Sequence, residues 1–231
     1  RISQLGLSSI IYPGATHTRF HHALGAYHLM TKALQTLEMK GVELSSEEKE
    51  GACIAILLHD LGHGPFSHVL ENILIPVEHE RLTLLLMEDL NKQFGGKLNL
   101  AISIFKNEYP KKFLFQLVSS QLDMDRMDYL TRDSFYTGVS EGIIGYDRII
   151  QMMNVVENQL VIEEKALFSI EKFLTARKIM YWQVYMHKAS ISAEIMLTAL
   201  LSKIKENLVT DHLSEGMSYF ILNQESINKV N

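Results

Sequence analysis

Thirteen residues from His59 to Glu71, HDLGHGPFSHVLE, contain three histidines and two carboxylates, and His79 brings the histidines to four within 21 residues. An adjacent His-Asp pair means little by itself. The clustering carries the weight, because imidazoles and carboxylates gathered in an interior are costly unless they are paired, hydrogen-bonded or bound to an ion. Imidazole nitrogens mixed with carboxylate oxygens suit iron, manganese or zinc, with magnesium as a further candidate, and leave coordination positions open for water. Such an ion lowers the pKa of its bound water and generates hydroxide near neutral pH. His59 and Asp60 supply two donors at the end of an apolar helix, and His22 and Asp125, distant in sequence, complete a four-donor set. Arginines, a lysine and further histidines around it would hold phosphate oxygens. Metal-assisted phosphoester hydrolysis follows as the reaction class.

Several elements must converge to position these groups. Tyr12-Pro13-Gly14 marks a turn, after which Thr16 or Thr18 caps a helix running to about Lys40. Its apolar stripe reads through Phe20, Leu24, Tyr27, Leu34 and Leu37, with His22 one position off it beside Gly25 and Ala26, where small residues admit a close neighbour. Gly41 stops that helix, and Ser45 with Glu48 forms a capping box for the next. His59 and Asp60 point inward from the last turn of this second helix. Gly62 and Gly64-Pro65 then interrupt it, so His63 falls on a tight loop. A new helix from about Pro65 places His68 and Glu71 at i and i+3, within hydrogen-bond reach of each other. His79-Glu80 opens another helix, and residues 99–119 form two short ones divided at 107–110.

Asp125, Tyr129 and Asp133 follow at i, i+4 and i+8 with Arg126 adjacent, a pattern that in isolation describes a solvated, salt-bridged face. Residues 154–163 (NVVENQLVIE) give the one good strand signal, two branched runs about Glu157-Asn158. Residues 164–207 read as one long helix or two in succession, with Arg177, Tyr181, Tyr185 and Lys188 on a common face. In isolation that face is the rim of a core helix. His17, His21, His28 and His212 show no partner pattern and are read as structural. The fold class is all-α with one small β-hairpin, as a single domain over 1–210 followed by a C-terminal segment, 211–231, without an assigned role.

At 231 residues and 47% hydrophobic content the chain can bury a full core. A formal charge of -5 argues against holding long nucleic acid by its backbone, while a small polyanion in a local basic pocket stays compatible. Cys53 is the only cysteine, so no intrachain disulfide forms, a reducing cytoplasmic location is expected, and the thiol reads as a small core residue. No apolar run of about 18 residues suggests a membrane span. The chain opens on Arg1 instead of Met, which leaves room for residues before it and gives the missing signal peptide little weight.

The order His22, His59-Asp60, Asp125 resembles the H...HD...D signature of the HD-domain phosphohydrolases. PGATHTRFHHALG at 13–25, HDLGHGPFSH at 59–68, His79-Glu80 and DMDRMDYLTRD at 123–133 are more specific. Together they are similar to the deoxynucleoside triphosphate triphosphohydrolase branch, which includes the sterile-alpha-motif and HD-domain dNTPase and bacterial dGTPase-like proteins. The resemblance covers roughly residues 1–190 and implies an HD-domain helical fold. It assigns His22, His59, Asp60 and Asp125 to a divalent metal, and His68, oriented by Glu71, to acid/base work beside the α-phosphate with His63 and His79 nearby. It places Arg19, Arg126 and Arg177 on phosphates, and Tyr129, Asp133 and Gln4 about the sugar 3′-hydroxyl. Tyr185 would crowd the 2′ position, and Leu5 would line the sugar and base pocket. The implied reaction converts a dNTP to deoxynucleoside and inorganic triphosphate by metal-hydroxide attack on the α-phosphorus, in a homo-oligomer of two or more copies.

Three positions depart from the family pattern: Glu71 stands for an Asp, Arg126 for a Lys, and His21 for an acidic residue. The rival readings are an HD phosphodiesterase or nucleotidase acting on another phosphoester, a catalytically silent nucleotide-sensing protein, and a single-stranded nucleic-acid binder. The last lacks an aromatic-basic tract.

Overall fold

The computed structural model describes residues 2–66, 68–71, 73, 77–207, 214 and 218. The side chains of His68 and Glu71 lie outside that set, as do His212 and most of the segment 211–231.

The fold is helical with one hairpin. Helix α1 (Arg19–Met39) starts from a capping box in which Thr18 accepts from the His21 amide while His21 Nδ1 accepts from the Thr18 amide. His21 is thus tied to the helix start. Helix α2 (Ser46–Leu58) opens on the expected Ser45–Glu48 box and ends with His59 as its C-cap. Short α3 (His68–Glu71) and α4 (His79–Gln93) follow. Helices α5 (Asn99–Phe105) and α6 (Lys112–Val118) divide where the sequence places the break, and α7 (Met124–Thr137) ends on Gly138 at φ 74°, a left-handed C-cap position that favours glycine.

Helix α8 (Tyr146–Gln151) leads into β1 (Met153–Val156) and β2 (Gln159–Ile162), paired antiparallel from Met153↔Ile162 to Val156↔Gln159. Glu157 and Asn158 both take positive φ, 49° and 65°, as a tight two-residue hairpin turn requires. Helix α9 (Leu167–Met180) then passes through a π-helical turn, Tyr181–Tyr185, before α10 (Lys188–Glu206), so the last region is two helices joined by a widened turn. Among the described residues no helix is long and apolar enough to cross a membrane.

Helix α1 packs on both α2 and α7 and forms the hub of the core. Its buried face runs through His22, Ala26, Leu29, Met30, Ala33, Leu34 and Leu37. This corrects the expected stripe: Phe20, Leu24 and Tyr27 are 63%, 44% and 41% exposed. The helix is apolar over much of its circumference, and the neighbours select the side with alanines and glycine because it allows close approach. Met30, Leu37, Ile56, Leu114, Met124 and Leu130 are fully enclosed, each stabilising the fold by about 1.5–3 kcal/mol. Cys53 is half-buried beside Thr31, a position in keeping with a packing role.

Candidate metal centre and phosphate cleft

Three helix ends deliver the donors. His22 lies in the first turns of α1, His59 closes α2, and Asp125 is in the first turn of α7. Asp125 Oδ1 is 3.1 Å from His22 Nε2 and 3.4 Å from His59 Nε2, with the imidazoles edge to face at 5.3 Å. One ligand atom from each of these residues falls within 4.8 Å of the others. Asp60 approaches alongside, its Oδ1 3.4 Å from His59 Nε2 and its Oδ2 3.9 Å from His22 Nε2. The same Oδ2 accepts from Arg19 Nη1 at 2.6 Å.

The residues fit a divalent ion. His22 Nδ1 is 2.8 Å from Asp128 Oδ2, and His59 Nδ1 donates to the Ile56 carbonyl at 2.6 Å. These bonds fix the ring orientations and direct both Nε2 atoms toward Asp125. Both Nε2 atoms are buried and have no hydrogen-bond partner among the described residues. Two convergent orphan acceptors beside carboxylates are costly as they stand, and a cation between them would satisfy all of them.

The electrostatics agree. Burial opposes charge on His22, yet the carboxylates of Asp125 and Asp128 on either side of the ring prevail and raise it to about 10. His59 is raised to about 8, against its burial, by Asp60 and Asp125. Asp125, although buried, is held well below the usual carboxylate range by the two histidines. The site favours positive charge, which a proton or a metal ion can supply.

The loop after α2 is fastened from the far side. Gly62 N donates to Thr83 Oγ1 at 2.9 Å, and that hydroxyl donates to the His59 carbonyl at 3.1 Å. A Cβ on Gly62 would sit 2.2 Å from the His79 carbonyl oxygen, so only glycine admits α4 this closely. The approach stacks His79 on His63 at 3.8 Å and leaves His63 Nε2 3.6 Å from Asp60 Oδ1. His63 lies on the tight loop, as its glycine-proline context implies.

A cleft of about 460 Å³ opens over Asp60 and Asp125. Its walls include Gln4, Leu5, Arg19, His63, His79, Arg126, Tyr129, Asp133 and Tyr185 from the sequence reading, together with Tyr181, read only as part of the Arg177–Tyr185 face, and Ser8 and Glu194, which carried no signal. Gln4 and Leu5 arrive because the N-terminal strand-like segment pairs Ser3 with Thr18 and ties Gln4 N to the His17 carbonyl at 3.1 Å. Arg126 is aimed by its own bond to the Ser120 carbonyl, 2.7 Å, next to the Asp123 cap of α7. Arg177 stands outside the lining, 3.3 Å from Gln121 and over the Tyr181 ring. His68 and Glu71 fall on α3, but their side chains are outside the described residues.

Two further residues belong to the site's frame. His17, read as structural from sequence, is buried with Nε2 2.6 Å from Asp133 Oδ1, and Tyr185 donates to Asp133 Oδ2 at 2.7 Å. Asp133 is thus gripped from both sides. Burial, then the charge of Asp133, pushes the Tyr185 phenol well up, so it stays a donor. Asp128, absent from the sequence-derived set, supports His22. Its signal was its place in DMDRMD, one helical turn beyond Asp125.

A buried His/Asp donor set under a basic-rimmed cleft defines a class, and comparison assigns it. Residues 19–133 match the family model described as HD domain, and 144–216 match the HD associated region. The chain belongs to the HD-domain phosphohydrolase family. In particular, the crystal structure of a phosphohydrolase from Bacteroides thetaiotaomicron superposes with a TM-score of 0.94 at 56% identity, covering 96% of this chain and 56% of that one. The Bacillus subtilis "Uncharacterized protein YwfO" is 39% identical over 213 residues, 89% of this chain and 49% of its own length. A "Deoxynucleoside triphosphate triphosphohydrolase SAMHD1 homolog" from Dictyostelium discoideum is 26% identical over 250 residues, 99% of this chain and 48% of that protein. The chain spans about half the length of the curated relatives it matches.

Proposed function

We propose that this domain hydrolyses deoxynucleoside triphosphates to deoxynucleoside and inorganic triphosphate. The observation that carries the reading is the composition of one cleft. Its floor holds the half-buried members of the metal set that reach the cleft, Asp60 and Asp125, and its walls hold Arg19, Arg126, Tyr129, Asp133 and Tyr185.

When bound by His22, His59, Asp60 and Asp125, a divalent ion such as iron, manganese, zinc or magnesium would lower the pKa of water and neutralise charge at the α-phosphate. The chain's own residues do the rest. Arg19 and Arg126 hold phosphate oxygens by charge-assisted bonds, and Arg177 waits at the rim for the outer part of the polyphosphate. Tyr129, Asp133 and Gln4 take the sugar 3′-hydroxyl. Tyr185, pinned by Asp133, cannot swing aside to admit a 2′-hydroxyl, and Leu5 lines the pocket for sugar and base. Water attacks the α-phosphorus, the bond from phosphorus to O5′ breaks, and His68, oriented by Glu71, gives its proton to O5′. His63 and His79 stand beside that exchange. The assembly carrying it out is a homo-oligomer of two copies or more, which light scattering after size exclusion reads directly.

The test is to incubate the protein with each dNTP and manganese or magnesium and to separate the products. Triphosphate with deoxynucleoside supports the reading. Pyrophosphate with monophosphate defeats the regiochemistry, and turnover of nucleoside monophosphates alone transfers the site to nucleotidase chemistry.

A further inference from the structure

On the far edge of the His22 ring, opposite the nitrogen turned toward Asp125, a carboxylate and a guanidinium form a closed unit. Asp128 Oδ2 lies 2.8 Å from His22 Nδ1. Arg132, one turn further along α7, donates to both Asp128 oxygens, Nε to Oδ2 and Nη2 to Oδ1, each at 2.9 Å. The pair lies flat across Gly25 of α1. A Cβ there would come within 1.9 Å of Asp128 Oδ1 and 2.0 Å of Arg132 Nη2. Asp128 is 6% exposed and takes no part in lining the catalytic cleft, so it reaches the chemistry only through His22.

We propose that Asp128, clamped by Arg132 across Gly25, is a positioning residue for the metal: it holds His22 with its proton on Nδ1, presents Nε2 to the ion, and sets how tightly the site binds it. An ionised carboxylate behind a ligating imidazole fixes ring and tautomer together and makes the ligating nitrogen a stronger donor. The bidentate guanidinium holds that carboxylate in plane and offsets its charge, where a buried lone carboxylate would be costly. A cavity of about 270 Å³ borders the outside of the pair, lined in part by His28, Phe135 and Tyr136. It leaves room to alter residue 132 without entering the cleft. The inference rests on the metal-centre reading of His22, His59 and Asp125.

The test strips the full chain with a chelator and titrates manganese and zinc ions against a chromophoric chelator. It compares wild type, Asp128→Asn, Arg132→Gln and, as a destabilised control remote from the centre, Glu48→Gln. Asp128→Asn should weaken both ions about 10–100-fold and Arg132→Gln by a smaller factor, with helical circular dichroism retained. Ring 15N spectra of the zinc-loaded protein should show His22 as a single form bound through Nε2 with its proton on Nδ1 in wild type, and loss of that single form in Asp128→Asn. An affinity within about twofold of wild type in folded Asp128→Asn overturns the proposal, as does an equal loss in Glu48→Gln. If Asp128→Asn does not fold, Arg132→Gln carries the same comparison. A wild type that binds neither ion overturns the metal reading itself, an outcome distinct from a variant that matches wild type.

Discussion

The two ends of helix α2 hold two clusters of buried charge built to opposite specifications. At the N-terminus, Glu48 is 6% exposed and fully satisfied: Oε2 accepts from the Ser45 amide at 2.8 Å and Lys111 at 2.7 Å, and Oε1 from Tyr109 at 2.7 Å. Burial alone would raise its pKa, but Lys111, the Ser45 amide and Tyr109 hold it below the usual range. At the C-terminus, His59 joins His22 and Asp125 with two imidazole nitrogens left over. The N-terminal cluster borders an open depression of about 770 Å³, larger than the 460 Å³ cleft, so size does not pick out the site. Satisfaction does. A closed hydrogen-bond account marks a structural cluster, and convergent imidazole nitrogens without hydrogen-bond partners mark a candidate functional one.

The sharpest way to break that contrast is to delete one member from each end. His59→Ala or Asp60→Ala should lose bound metal and about 10³-fold or more in activity together, read by metal analysis and product assay. His68→Ala should retain the metal and lose about 10²–10⁴-fold in turnover. Glu48→Ala should do the reverse of the first pair, costing about 2–3 kcal/mol in a denaturant melt while leaving metal content alone. That figure is set below the range for fully buried pairs because the Lys111 side chain is 34% exposed.

The pH responses should have opposite signs. Glu48, with a lowered pKa, stabilises the fold above the ordinary carboxylate range and loses that contribution as pH falls through its folded value. His22 and His59, raised to about 10 and 8, stabilise chelator-stripped protein fully below the ordinary histidine pKa of about 6.5 and lose that contribution as pH rises through those values. Melts of stripped protein at pH 4, 6.5 and 9 should therefore peak in the middle, and metal affinity should increase with pH as protons leave. Melting temperatures that rise steadily to pH 9 would contradict the histidine half. The smallest effect is expected for Tyr185→Phe, about 1 kcal/mol of stability and a loss of preference for dNTP over rNTP in paired assays.

Much of the site was legible because its chemistry is local in sequence. The Ser45–Glu48 box, the glycine-broken loop after His59 and the Asp125 helix follow from spacing alone, as does the hairpin at Glu157-Asn158. The buried face of α1 was not legible. Phe20, Leu24 and Tyr27 outweigh Ala26 and Ala33 in any reading of apolar periodicity, yet close helix approach favours the small residues. His17 gave no signal because its partner, Asp133, is 116 positions away. The roles of Arg132 and Asp128 were hidden for a related reason: an i, i+4 ion pair on a helix resembles a solvated face until the neighbouring helix is seen to cover it.

The widened turn at Tyr181–Tyr185 amounts to one surplus residue in the last turn that continues α9, before extended His187 caps α10 as a separate helix. Each residue of an α-helix advances the side chains by about 100°, so the surplus sets the direction in which Tyr185, the last residue of the turn, projects. Removing a single residue there, Trp182 for example, would let the turn relax into ordinary α-helix with little cost to the core, since Trp182 is 81% exposed. Tyr185 would then be rotated away from Asp133. The chain would keep its fold and its candidate metal donors, and under the proposed function would lose the check on the sugar, so single-residue length variation at this turn would be a direct test of nucleotide preference.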